Sequence, residues 1–142
     1  MKLLVPIDGS RFSEKALYSA IDYAKKTDAE IYLVNVVPWT EDVDLEISVS
    51  EREALRTGLE KRGERVVSKA CDIISGEGLK PYCKAIITSI SVPDAIIDFA
   101  EKEKIDLIVI GSQGLSPSKR FKMGSVALQV IKHSPCTVWL VK

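Results

Sequence analysis

Ile110 to Val126 reads Ile-Gly-Ser-Gln-Gly-Leu-Ser-Pro-Ser-Lys-Arg-Phe-Lys-Met-Gly-Ser-Val, and its spacing, Gly-x2-Gly-x9-Gly-Ser, has the form of a phosphate cradle. A strand-type run, Asp106 to Ile110, leads into it, and a helical pattern, Ser125 to His133, follows it. In an open α/β sheet ligands bind beyond the carboxyl ends of the strands, and a helix N-terminus offers an anion free N–H groups and a positive dipole end. Backbone that approaches phosphate oxygens closely, or takes positive φ, has no room for a Cβ, which is a physical reason for Gly111, Gly114 and Gly124. Ser125 adds a hydroxyl donor, and Lys119, Arg120 and Lys122 make the insert cationic. A pair of ordinary glycine-rich turns is the competing reading, and the spacing alone does not separate the two.

A second strand end carries complementary chemistry. Lys2 to Ile7 is a buried-strand pattern that runs directly into Asp8-Gly9-Ser10. Asp8 can accept a hydrogen bond from a ligand hydroxyl or an adenine amino group, or it can close the turn before the next helix. The turn reading is the better one for Asp8 alone. Joined to the glycine cradle, the ligand reading becomes the better one.

Val5-Pro-Ile-Asp-Gly-Ser10, Ile110-Gly-Ser-Gln-Gly114 and Met123-Gly-Ser-Val126 resemble the universal stress protein family, and the similarity spans the whole chain. The Gly-x2-Gly-x9-Gly-Ser spacing is the form carried by the family's ATP-binding members, and other members lose those residues. The resemblance implies that Pro6, Ile7 and Asp8 border the adenine, that Val37 closes its other side, and that Ile110 and Gly111 lie near the ribose. It places the phosphates on Gly114, Gly124, Ser125 and Val126, through backbone N–H groups and the Ser125 hydroxyl. ATP is the implied ligand, with Mg2+ as its candidate companion; the resemblance names no metal-ligating residue here. Gln113 stands where family members commonly carry His, Arg or another residue, and Thr88 to Val92 lacks the Gly that often ends the third strand. Adenine specificity is therefore less firmly marked than phosphate binding. Ile7, Val37 and Ile110 also have a structural reading, because they would face a sheet core in any such fold.

These residues need a scaffold, and the pattern along the chain supplies one βα unit after another without repeats or a linker. The first helix is expected over Phe12 to Lys26, with Ala16, Leu17, Ala20, Ile21 and Ala24 on one face and Ser13 as a candidate cap. Glu30 to Val37 reads as the second strand, ended by Pro38-Trp39; the acidic connection Glu41 to Glu46 is a candidate flap beside the ligand. Ser50-Glu-Arg-Glu53 has the capping-box pattern and opens the longest helix, which runs to Gly76. Leu79 to Ile87 is the third expected strand, a helix opens around Pro93 and runs to Lys104, and Asp106 to Ile110 and Thr137 to Val141 are the last strands. Strands joined by helices imply a parallel sheet with right-handed crossovers, hence a single three-layer α/β/α domain over residues 1–142. The strand order 3-2-1-4-5, that of the adenine nucleotide alpha hydrolase-like folds, is implied by the resemblance. Pro6 conflicts with a central strand, because proline removes a ladder N–H, although its place near the strand end softens the conflict.

Composition narrows the function classes. The 142 residues and 46% hydrophobic content suit one modest domain. Twenty basic and twenty acidic residues cancel, so the polyelectrolyte attraction that drives nucleic-acid binding has no global support. Apolar runs of about six residues fall far short of the roughly 20 needed to cross a bilayer, and Lys2 to Ile7 is too short for a signal sequence core. A soluble, cytoplasmic protein is expected. Cys71, Cys83 and Cys136 are odd in number, widely separated and flanked by apolar residues, which suits reduced, packed thiols. His133, just before Ser134-Pro135, fits a helix C-terminal dipole contact better than catalysis.

No Gly-x4-Gly-Lys-Ser/Thr loop, no Gly-x-Gly-x2-Gly fingerprint and no Ser-Gly-Gly-x-Asp-Ser loop occurs. Asp8 is the one carboxylate that the motifs bring near the pocket, too little for a dedicated phosphoryl-transfer centre. The sequence reading is thus an ATP-binding, nucleotide-dependent stress-response switch with at most slow hydrolysis. The alternative is a dimeric protein-interaction module of the same fold without nucleotide. A flavin or dinucleotide protein would need a larger contact set than one cradle and one Asp. The apolar final strand Thr137 to Val141, as a sheet edge, invites pairing with a second copy, and family members commonly dimerise there; Trp139 would anchor such a dimer or face a helix of its own subunit.

Overall fold

The computed structural model describes residues 1–39, 47–88, 90–117, 120 and 123–142, with Ile87 described in its backbone alone. The expected flap Glu41 to Glu46, together with Ser89, Lys119 and Lys122, lies outside the described residues. Strands β1 (Lys2–Pro6), β2 (Glu30–Pro38), β3 (Pro81–Thr88), β4 (Leu107–Gly111) and β5 (Thr137–Val141) form one parallel sheet in the order β3-β2-β1-β4-β5. Helices α1 (Arg11–Thr27) and α2 (Val49–Gly76) cover one face, and α3 (Val92–Lys102) and α4 (Ser125–His133) cover the other. The expected three-layer architecture and strand order are both present.

Residues of β1 alternate between the two cores. Leu3 and Val5 pack with Leu17, Ile21 and Leu33 under α1 and α2, while Leu4 packs with Ile96, Ile108 and Val130 under α3 and α4. Both faces are buried, so the strand reads as a continuous apolar run rather than an alternating one. Pro6 fits here for a specific reason. The Ile7 N–H donates to Val34 O at 2.8 Å and the Asp106 N–H to Lys2 O at 2.9 Å, so odd-numbered residues of β1 face β2 and even-numbered ones face β4. The missing Pro6 donor would point toward β4, beyond the last β1–β4 pair, Leu4 with Ile108. No ladder bond is lost, and β1 and β4 part at this point.

Helix caps differ from the expected ones. Ser10, not Ser13, caps α1: its Oγ accepts the Ser13 N–H at 3.2 Å, and the Ser13 hydroxyl donates back to Ser10 O at 2.9 Å. Two overlapping Ser-x-x-Glu frames open α2, and the chain uses the earlier. Ser48 Oγ accepts the Glu51 N–H at 3.2 Å and Glu51 Oε2 accepts the Ser48 N–H at 3.4 Å, which adds helix ahead of Ser50. At its other end Gly78, at φ +78°, and the Leu79 N–H bonded to Ile74 O close the helix. Leu79 is thereby spent on the helix end, and β3 begins at Pro81.

The thiols correct another expectation. Cys71 on α2 and Cys83 on β3 form a disulfide, with Cα atoms 6.7 Å apart. The turn between the two elements folds α2 back along β3 and brings together cysteines that look unrelated in sequence. Cys136 is free and half-buried.

Candidate functional site

Where β1 and β4 separate, a cavity of about 260 Å3 opens at their carboxyl ends. It is lined by Pro6, Ile7 and Asp8 from the end of β1, Ile110, Gly111 and Gly114 after β4, and Gly124, Ser125 and Val126 at the start of α4. Nine of the ten residues singled out in the sequence thus meet at one site. Val37 does not line this cavity; it lines one hollow with Leu59, Gly63 and Ala85 and an adjoining one with Asp8, Val36 and Leu115. Its neighbour Val36 lines the cavity with Val34, because side chains alternate faces along a strand.

The glycines of the cradle act through close approach, and none of the three has positive φ. A Cβ on Gly111 would lie 2.7 Å from the backbone carbonyl carbon and oxygen of Phe12, so this glycine lets α1 pack against the end of β4. A Cβ on Gly114 would lie 2.9 Å from Asp8 Oδ2, which puts the two motifs side by side. At Gly124 a Cβ would press on Gln113 Cα at 3.3 Å. The Gly124 N–H donates to Ser112 O at 2.6 Å, tying the far end of the cradle to its beginning.

Asp8 serves the turn and remains available to the cavity. Its Oδ1 accepts the Ser10 N–H at 2.8 Å, and its own N–H reaches Ser13 Oγ at 3.4 Å. Oδ2 is the oxygen beside Gly114. Behind it, buried Asn35 donates from Nδ2 to Ile7 O at 2.7 Å, which fixes the strand end that carries Asp8. Asn35 Oδ1 has no hydrogen-bond partner among the described residues and packs at α2, where a Cβ on Gly63 would lie 2.9 Å away.

The start of α4 is unlike the other helix starts. Ser10, Ser48 and Ser91 each cap their helices with a side-chain oxygen, whereas the N-cap of α4 is Gly124 and no side-chain cap bond is present. The first intrahelical bond is from the Leu128 N–H to Gly124 O at 3.1 Å. The N–H groups of Ser125, Val126 and Ala127 therefore have no helical acceptor, and all three residues line the cavity. The same cavity is lined by Val36, Val92, Ile96 and Ile110, apolar residues of the core under α3 and α4. The cavity thus offers donors and a helix dipole to an anion and apolar walls to a flat ring.

Ser13, Ile96, Ser116 and Ala127 also line the cavity and carried no ligand signal in the sequence. Ser13 and Ile96 sit in ordinary helical patterns, and contact across the sheet cannot be read from spacing along it. Arg120 of the cationic insert has an interaction partner and is not a free cation.

Residues 1–142 match the universal stress protein family. Universal stress protein MJ0531 of Methanocaldococcus jannaschii is 37% identical over 142 residues, covering 99% of this chain and 81% of that protein. Universal stress protein YxiE of Bacillus subtilis is 31% identical, covering 99% of this chain and 98% of its own. Among solved structures, the universal stress protein of Archaeoglobus fulgidus in complex with dAMP superposes with a TM-score of 0.72 at 26% identity, covering 100% of this chain and 98% of that one. Together with the parallel sheet and the cradle at its switch point, these matches show that this chain belongs to the universal stress protein family.

Proposed function

We propose that the cavity binds ATP and that the protein acts as a nucleotide-dependent stress-response switch in the cytoplasm. The observation that carries this reading is the uncapped N-terminus of α4, whose free N–H groups open into the cavity beside Gly114 and Gly124. The related Archaeoglobus fulgidus protein, solved with dAMP, supports an adenine nucleotide as the ligand class. In this reading Ser125, Val126 and Ala127 hold phosphate oxygens through their N–H groups, and the Ser125 hydroxyl adds a donor. Val36, Ile96 and Ile110 flank the purine, and Asp8 Oδ2 accepts from an amino or hydroxyl group of the nucleoside.

Hydrolysis is slow at most. Phosphoryl transfer needs a metal clamp and a positioned base at the γ-phosphate. Among the described residues Asp8 is the one carboxylate lining the cavity, and one of its oxygens is engaged by the Ser10 N–H. Mg2+, if it accompanies ATP, is held chiefly by the phosphates. A second copy of the chain pairs along the open edge of β5, where Trp139 keeps 38% of its surface exposed while its ring meets Tyr23 edge-on at 6.0 Å.

The test is chromatography of the small molecules released when freshly purified protein is denatured, with Gly124→Val alongside. ATP or ADP released by the native chain and not by the variant is the expected result. No nucleotide from either, with no ATP-induced rise in melting temperature, would transfer the assignment to a protein-interaction module.

A further inference from the structure

A second cavity, of about 320 Å3, lies between α1 and α2 and is chemically distinct from the first. Its floor is apolar: Ile7, Leu17, Val66, Ala70 and Ile73. Its rim carries Arg62, Arg65 and Lys69, which the i, i+3, i+7 spacing places on one stripe of α2. None of these three cations forms an ion pair with a described residue; the ion pairs present are Lys25 with Glu77 and Arg56 with Glu60. Among the described residues Glu14 is the one carboxylate lining the cavity. In a chain of zero formal net charge, three cations around one concavity, none in an ion pair with a described residue, are a local concentration of positive charge.

We propose that this cavity is a binding site for a medium-chain alkyl carboxylate. The alkyl tail lies on Val66 and Ile73, the half-buried members of a floor whose Ile7, Leu17 and Ala70 are already packed beneath them, and the carboxylate meets the Arg62, Arg65 and Lys69 head groups, of which the planar guanidinium groups suit its two oxygens. Each element of the site selects against another ligand class. An inorganic anion or a bare phosphate makes no use of the half-buried Val66 and Ile73, and an alkyl cation is repelled by the rim. The volume lies at the low end of the small-molecule range, which favours one short chain over a large cofactor. The site is independent of the nucleotide assignment: of its lining residues only Ile7 and Ser13 also border the first cavity.

The test is isothermal titration of the purified protein with decanoate below its micelle concentration, with acetate and decyltrimethylammonium as comparison probes. Methyl NMR then maps the site. Saturable binding of decanoate, at least tenfold tighter than either probe, with shifts centred on the Leu17 and Ile73 methyl groups, is expected. The Arg65→Glu, Lys69→Glu double variant alters only exposed side chains. It should weaken decanoate at least tenfold while keeping the melting temperature and the response to ATP. Equal binding of decanoate and decyltrimethylammonium, unchanged titration of the double variant, or shifts away from Leu17 and Ile73 would each overturn the proposal.

Discussion

At Gly111 the space for one methyl group decides whether the site can form. A Cβ there would sit 2.7 Å from the Phe12 backbone, so Gly111→Ala must push α1 away from β4. Overpacking of this kind typically costs about 1–3 kcal/mol, and a loss in that range is expected in a denaturant melt, with weaker ATP binding. Asp8 separates its two roles by substitution. Asp8→Asn keeps an oxygen for the Ser10 N–H, so stability should hold within about 0.5 kcal/mol while ATP binding falls; Asp8→Ala should lose stability as well, by about 1 kcal/mol. Unchanged ATP affinity in Asp8→Asn would remove Asp8 from ligand recognition. The glycines and Asp8 were legible in the sequence because chemistry and spacing coincide at these positions. Val36 was not, since one residue along a strand decides which face a side chain takes, and the strand end alone does not say which face borders the cavity.

For the helices and strands, the competing caps of α2 give a direct comparison. Ser48 makes both bonds of the capping box, so Ser48→Ala should cost about 1 kcal/mol, and Ser50→Ala should be nearly silent in the same thermal melt. The reverse order would restore the later frame. The disulfide gives the second element-scale expectation. Cys71 and Cys83 are 12 residues apart, and opening a loop of that size releases up to about 3 kcal/mol of constraint in the chain-entropy account. Reduction by a dithiol, or Cys83→Ser, should therefore lower the melting temperature by several degrees; no change would mean that the bond adds nothing to stability. Element types and order were legible because apolar periodicity and Gly/Pro punctuation agree along the whole chain. The disulfide was not, because the pairing depends on how α2 folds back over β3, and single-residue spacing does not encode that contact.

Across the whole molecule the sheet places two different chemistries at one end of the domain and ends in two edge strands, β3 and β5. The edge strand β5 hydrogen-bonds β4 on one side, and its other side has no strand beside it in the monomer. Light scattering should report a dimer for the native chain and a shift toward monomer for Trp139→Glu; a monomeric native chain would withdraw the β5 assembly. The central claim is that the uncapped start of α4 binds the phosphates of ATP, and the melting temperature measured against ATP concentration tests it most directly. At 100 times the dissociation constant a single site stabilises by about 2.7 kcal/mol, so the native protein should melt several degrees higher with ATP. Adenosine should give a smaller rise, and Gly124→Val none with either ligand. An equal rise in the native protein and in Gly124→Val, or none in the native protein at saturating ATP, would contradict the account.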